Sequence, residues 1–360
     1  MKYALWLANI SQMSRTKKMA LYEEKITAKE FYGFDKRAME QLPFLSKELI
    51  EIVEHSKKSW NLEEEVYKLQ KEGIGFVSRE QTQFPEKLKH IPTAPYSFYY
   101  KGNLPDEKKK SIGMVGARSR SEYGRQVSFA LAKKLSEQKV QIISGLARGI
   151  DGDCHRGAIE GKTPTFAVLG CGVKVCYPKS NQYLYDAILA SGGGILSEYI
   201  PKQQPQAYLF PQRNRIISGL SDALIVVEAR RNSGSLITAD FAMDQGKDVY
   251  AIPGRIHDSL SQGCNRLIEQ GAGMIYDLDE FVRDICEISS ENSLPPDFPK
   301  NVLEKDEGML YSLFDFRPIG IATLMEESGM EISVLLNVLG RLVEKGYIKE
   351  SFPNYYVRQL

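Results

Sequence analysis

The chain has 360 residues, 42% hydrophobic and 26% charged, with 47 Lys and Arg against 46 Asp and Glu. That length fits two to three domains with their own cores and needs no disulfide or metal staple. A formal net charge of +1 argues against a uniformly basic nucleic-acid binder. No apolar run approaches the ~20 residues of a membrane helix, and MKYALWLANISQM reads as the start of a domain without a signal-peptide cleavage site, so a cytoplasmic location and no membrane partner are expected. The five cysteines (Cys154, Cys171, Cys176, Cys264, Cys286) show no CxxC pair, and only four histidines are present. Neither a disulfide framework nor a metal site is expected, and no cofactor.

Residues 1–95 read as helical. Apolar positions recur at helical spacing in KELIEIVEHSKK and EEEVYKLQKEG, and Gly33, Pro43 and Gly73 punctuate them. The stretch ITAKEFYGFDKRAMEQLPFLSKELIEIV predicts two short helices meeting at a turn. From 96 to 285 the period changes. Six short apolar runs (SIGMV, VQIIS, TPTFAVL, GGGILS, DALIVVEA, DVYAIPG) alternate with amphipathic stretches. Strands alternating with helices, and strands apolar almost throughout, predict a doubly wound, mainly parallel sheet covered on both faces. Residues 286–303, with three prolines and a Ser-Ser pair, read as a linker. Residues 304–360 predict three helices and a hairpin over YIKESFPNYYVRQL, a winged-helix module.

Ligands of open parallel sheets bind beyond the carboxyl ends of the strands, so the loops there are the candidate site. The first, Gly113 to Arg120, offers Gly116 for close backbone approach and Arg118, Ser119 and Arg120 for phosphate. It has G-x-x-G-x-R, not the G-x-G-x-x-G of dinucleotide folds. The second, Ser144 to Gly152, offers the Ser144 hydroxyl and the Gly145 amide, with Asp151 as a helix cap and His155 as a structural residue on the following helix. The third, Leu169 to Asn181, combines Lys174 and Lys179 with Tyr177 and Asn181. Stacking plus cations is the recipe for single-stranded nucleic acid. In the fourth, Arg213 and Arg215 either bind ligand or brace the sheet by pairing with Asp222 or Glu228. In the fifth, Ser233, Gly234 and Ser235 form an anion site at a helix start. Glu228 there is a lone carboxylate without the partner that hydrolysis needs.

Seven segments in order resemble the DNA processing protein A family (DprA, or Smf): VGAR at 115–118, SGLARGID at 144–151, LGCG to YPKSN at 169–181, FPQRNRIISGLSDALIVVEA at 210–229, SGSLITA at 233–239, AIPG at 251–254 and GCNRLIEQGA at 263–272. The resemblance implies an extended Rossmann-like domain with an N-terminal helical domain of SAM or helix-hairpin-helix type and a C-terminal winged helix. It implies a binding protein, not an enzyme, that takes single-stranded DNA without sequence preference and hands it to the recombinase RecA during natural transformation or recombination. By the same resemblance Arg118 and Lys179 fall at DNA-phosphate positions, Gly116, Ser119, Ser144 and Gly145 add contacts, and Leu267 and Ile268 are candidates for a homodimer interface. The chain departs from the family at 171–174, where it reads Cys-Gly-Val-Lys.

Two other functions fit less well. The lysine-decarboxylase-like nucleotide hydrolases carry P-G-G-x-G-T-x-x-E, and the nearest segment here, Asn232 to Asp240, lacks the glycine pair and the glutamate. A winged-helix transcriptional regulator would read bases from a helix at 331–345, whose first turns offer an acid and apolar residues. Charge counted by segment sharpens the choice. Residues 96–285 hold 24 basic and 20 acidic side chains, whereas 286–360 hold 7 and 12. Lys108, Lys109, Lys110, Arg118, Arg120 and Arg125 face only Glu122 over 108–125, so the near-neutral total conceals a basic phosphate loop and an acidic C-terminal module.

Overall fold

The computed structural model describes residues 1–286, 305–314 and 318–359; the expected linker, after Cys286, lies outside the described residues. Six helices open the chain: Lys2–Asn9, Arg15–Glu23, Ala28–Gly33, Lys36–Glu40, Lys47–Ser59 and Leu62–Lys71. Ser14, Thr27, Asp35, Ser46 and Asn61 each cap one of them by accepting from a first-turn N–H. Their apolar faces bury Trp6, Leu21, Phe31, Met39 and Val53 in a core that continues into the sheet through Tyr99, Leu169 and Ile195. Asn9 Nδ2 also donates to Tyr99 Oη at 2.7 Å.

The helical stretch ends earlier than its expected boundary at 95. Strand β1 (Gly75–Ser78) pairs antiparallel with β2 (Ser97–Gly102), and both extend the sheet. The six expected strands are all present: β3 (Ser111–Val115), β4 (Gln141–Ser144), β5 (Thr165–Val168), β6 (Gly194–Ser197), β7 (Ala223–Val226) and β8 (Asp248–Ala251). With the short β9 (Gly273–Met274) they give the order β1-β2-β6-β5-β4-β3-β7-β8-β9, parallel from β6 to β9. Helices Glu122–Glu137, Ile150–Glu160 and Leu278–Cys286 cover one face. Helices Leu209–Leu220, Gly234–Asp244 and Gln262–Glu269 cover the other. That doubly wound arrangement explains why β3 to β7 are buried along their whole length.

Leu267 is 4% exposed within the second core and Ile268 packs half-buried against it. The expected dimer contact through Leu267 is therefore corrected, because this helix turns that side chain to its own sheet. The C-terminal helices Lys305–Ser312, Ile321–Ser328 and Ile332–Glu344 close over Leu310, Leu324, Leu335 and Leu342. They pack with a sheet of β10 (Ile319–Gly320), β12 (Tyr355–Arg358) and β11 (Ile348–Phe352) in that order. Lys349 on β11 reaches Glu122 at 2.5 Å, at the start of the helix that follows the first loop. Among the described residues no helix is long and apolar enough to cross a membrane.

His155 is structural, as its position suggested. It is fully buried, with Nδ1 2.8 Å from Thr165 Oγ1 and Nε2 unpartnered. Burial, with a smaller push from Arg213, holds its pKa down to about 3. A histidine whose folded pKa lies below its unfolded value near 6.5 stabilises the fold fully only above that value, and stability falls as pH drops toward 3. Between pH 7 and 5 the chain should lose about 2 kcal/mol on this account. His155→Gln should remove that part of the loss in urea unfolding at the two pH values. Identical pH slopes for the two proteins would contradict it.

Candidate nucleic-acid interface

Strand β3 has β4 on one side and β7 on the other, so the chain leaves β3 and β7 in opposite directions. A crevice opens at such a switch point. It is a cavity of about 410 Å³ between the loop after β3 and the loop after β7, lined by Gly116, Arg118, Ser119, Phe210, Asn232 and Ser233 among others. A second cavity of about 290 Å³ adjoins it and shares Arg118 and Ser119. Four arginines line this one, Arg118, Arg120, Arg148 and Arg156, around Asp153 and Asn181.

The four arginines divide by burial. Asp153 is fully buried and takes both Arg120 and Arg156 in ion pairs. Arg156 also donates to Tyr183 Oη at 2.7 Å. Arg118 and Arg148 are exposed and stand in no ion pair among the described residues, and the same holds for Lys179, at the start of the short turn Lys179–Asn181. Arg118 lies over the Phe210 ring at 5.5 Å, and the Tyr177 ring, 45% exposed, is 5.5 Å from Phe210 on the same rim. Guanidinium groups suit phosphate, and exposed ring faces suit bases. Across the crevice Ser233 caps the helix Gly234–Asp244, accepting from Ser235 N–H at 3.3 Å. Ser233, Gly234 and Ser235 therefore present a helix N-terminus to the same space.

Several residues singled out from the sequence brace this surface from within. The Ser144 hydroxyl is fully buried and donates to the Met114 carbonyl at 2.6 Å, so the expected ligand contact is corrected: the hydroxyl links β4 to β3. Asn181 Nδ2 donates to the carbonyls of Leu146 and Ala147, each at 3.0 Å, and holds the second loop in place. Lys174 pairs with Glu72 of the N-terminal helices at 2.5 Å, away from both cavities, which corrects its assignment to phosphate. Arg213 is buried and donates to the carbonyls of Gly145, at 2.9 Å, and Val168. Arg215 points to the other side of its helix and pairs with Glu198 at 2.5 Å. Of the two roles open to these arginines, both brace, with partners other than those expected. Asp222 pairs instead with Lys87 at 2.8 Å. Glu228, its pKa raised by burial, accepts from Ser121 N–H and Oγ.

Asp151 is not the helix cap. Gly149 holds that place with φ +77°, and a side chain there would meet the Ala117 carbonyl at 2.3 Å. Asp151 Oδ2 instead accepts from Ala147 N–H at 3.4 Å and faces Arg213 across Gly145. A Cβ on Gly145 would lie 2.6 Å from each of them, so only glycine leaves room for the charges to face. Burial pushes the Asp151 carboxyl up, and Arg213 pulls it back. Arg148, Asp153 and Arg156 were not singled out as contacts from the sequence. Their one local signal is the i, i+3 spacing of Asp153 and Arg156 on a helix.

A doubly wound sheet with arginines and aromatic rings around the crevice at its switch point defines a Rossmann-like α/β protein. Residues 75–286 match the model of the DNA recombination-mediator protein A family, and the chain belongs to that family. It is 45% identical over 192 residues to DNA processing protein DprA of Streptococcus pneumoniae, covering 53% of this chain and 67% of that protein. The X-ray structure of DprA from Streptococcus pneumoniae superposes with a TM-score of 0.68 at 33% identity, over 79% of this chain and 98% of that one. DNA processing protein A from Helicobacter pylori, described for its single-stranded DNA binding mode, matches with a TM-score of 0.53 at 27% identity, over 60% of this chain and 96% of that one.

The facing of Arg213 and Asp151 is directly measurable. Arg213→Met strands a buried carboxylate and should cost about 3–5 kcal/mol. Asp151→Asn in the Arg213→Met background should recover part of that, with a coupling above about 1 kcal/mol in the double-mutant cycle from urea unfolding. Additive effects would show that the two groups do not interact.

Proposed function

We propose that the chain binds single-stranded DNA without sequence preference through the two adjoining cavities and presents it to the recombinase RecA, in DNA uptake or recombination in the cytoplasm. The observation that carries this reading is the set of exposed cations that stand in no ion pair among the described residues. Arg118, Arg148 and Lys179 lie on the carboxyl edge of the sheet beside the exposed Tyr177 ring and the half-buried Phe210 ring. Cations spaced along a groove follow a phosphate chain, and rings accept any base. The family relationship and the Helicobacter pylori protein's single-stranded DNA binding support the same ligand. Presentation to RecA and a homodimeric state rest on the family resemblance. No role in catalysis is assigned to Glu228, because it is committed to Ser121.

The C-terminal module reads as a winged helix whose acidic character suits protein contact or cover of the basic face. Its Lys349–Glu122 pair sets it beside the first loop. Its fully buried Glu307 takes Lys345 at 2.7 Å, an internal use of charge.

Arg118→Ala with Lys179→Ala should weaken oligonucleotide binding by roughly ten- to a hundredfold and flatten the log–log salt slope by about 1.4, the loss of two single-strand phosphate contacts. Fluorescence anisotropy across a salt series measures both. Unchanged affinity and slope would sink the assignment.

A further inference from the structure

A third cavity, also basic, lies at the seam between the N-terminal helices and the sheet. Its volume is about 610 Å³, and its walls come from the helix Arg15–Glu23, the segment after β6 and the helix Leu209–Leu220. It is not a continuation of the DNA-facing crevice. Arg213 lines the crevice and Arg215 lines this cavity, and residues two apart stand about 200° apart around a helix.

Its charges do not balance. Arg15, Lys18 and Arg215 line the cavity, and Glu198 is the one carboxylate among the lining residues. Arg215 is 3% exposed and gives one nitrogen to Glu198 at 2.5 Å, while its Nε and Nη1 have no hydrogen-bond partner. A buried donor left unmade carries its whole desolvation cost. Lys18 is 9% exposed and donates to the Ala8 carbonyl at 2.7 Å, and burial lowers its pKa to about 8. Arg15 donates to the Thr93 carbonyl at 3.1 Å, and its pKa is lowered first by burial and then by repulsion from Arg215. Two guanidinium groups and an ammonium thus converge where the protein supplies a single negative charge. Ser14, Arg15 and Thr16, the N-terminus of a nine-residue helix, open onto the same space and add a favourable dipole.

We propose that this cavity is a second phosphate-binding site, separate from the DNA crevice, that takes a phosphorylated ligand of nucleotide size. Arg15 and Arg215 fork onto phosphate oxygens and Lys18 adds the third charge. The volume exceeds what a phosphate alone fills and lies within the usual range for small-molecule sites. Tyr199 and Phe241 offer ring surface for the remainder. The phosphate has two sources, a free nucleotide or the backbone of a bound strand. Either ligand bridges the N-terminal helices to the sheet.

The test titrates the full-length protein with inorganic phosphate and with dAMP by calorimetry. The Arg118→Ala, Lys179→Ala background weakens phosphate binding at the crevice, and the loss on Arg15→Gln or Lys18→Met within that background reports this cavity. Both probes should bind, dAMP the more tightly, and Arg15→Gln or Lys18→Met should weaken each by roughly tenfold, as for loss of a charge-assisted contact worth about 1.4 kcal/mol. Arg15 makes a single backbone hydrogen bond at the seam, so Arg15→Gln retains the fold, checked by its unfolding midpoint. If the phosphate comes from a strand, free phosphate and dAMP do not bind, and Arg15→Gln in the otherwise unaltered chain lowers oligonucleotide affinity with a shallower salt slope. Absence of binding by both probes, with oligonucleotide affinity unchanged in Arg15→Gln, overturns the proposal.

Discussion

One buried guanidinium holds the ligand-facing edge together. Arg213 reaches from the helix Leu209–Leu220 to the carbonyls at the ends of β4 and β5, and its charge faces Asp151 across Gly145. Those carbonyls lie where strands give way to loops, so the sheet ladder does not satisfy them. With Arg213 in place the second loop is fixed from below, Asn181 fixes it from the side, and Gly149 lets it pass tightly under the first loop. The exposed arginines then need no structural partner. The surface is free to meet an anion because another arginine, out of reach of solvent, does the bracing.

This division also explains how a chain of nearly zero net charge presents a basic face. Asp153 neutralises part of the charge of Arg120 and Arg156 and orients them, while Arg118 and Arg148 remain open. Excess negative charge sits in the C-terminal module, which meets the first loop's helix through Lys349 and Glu122. Local excess, not total charge, sets the potential that a phosphate chain meets.

The six parallel strands were legible because a sheet covered on both faces requires near-continuous apolar runs, and each run was bounded by glycine, serine or proline. β1 was not. Gly75–Ser78 is four residues long, follows a helix and gains its partner only from β2, about twenty residues on. At the site, the five loops were legible but the direction of each side chain was not. Ser144, Lys174 and Arg215 have the right chemistry on the right loops, yet packing turns them toward β3, the N-terminal helices and the seam. Arg156 escaped notice because a helical arginine with an acid three residues before it reads as a solvated pair, and Arg148, in the loop before that helix, has no patterned neighbour that marks it. Leu267 shows the limit of resemblance, since an apolar residue on an amphipathic helix serves an interface or its own core, and here it serves the core.

The central claim is that the carboxyl edge of the sheet, and not the C-terminal module, recognises single-stranded DNA through phosphates and stacked bases. The most direct measurement compares single- and double-stranded oligonucleotides of one length at physiological salt, in the full chain and in a chain ending before residue 304. The account predicts single strands bound at least roughly tenfold more tightly in both proteins, since paired bases offer no face to Tyr177 and Phe210. Equal or tighter binding of the duplex, or loss of binding with the module, would contradict it.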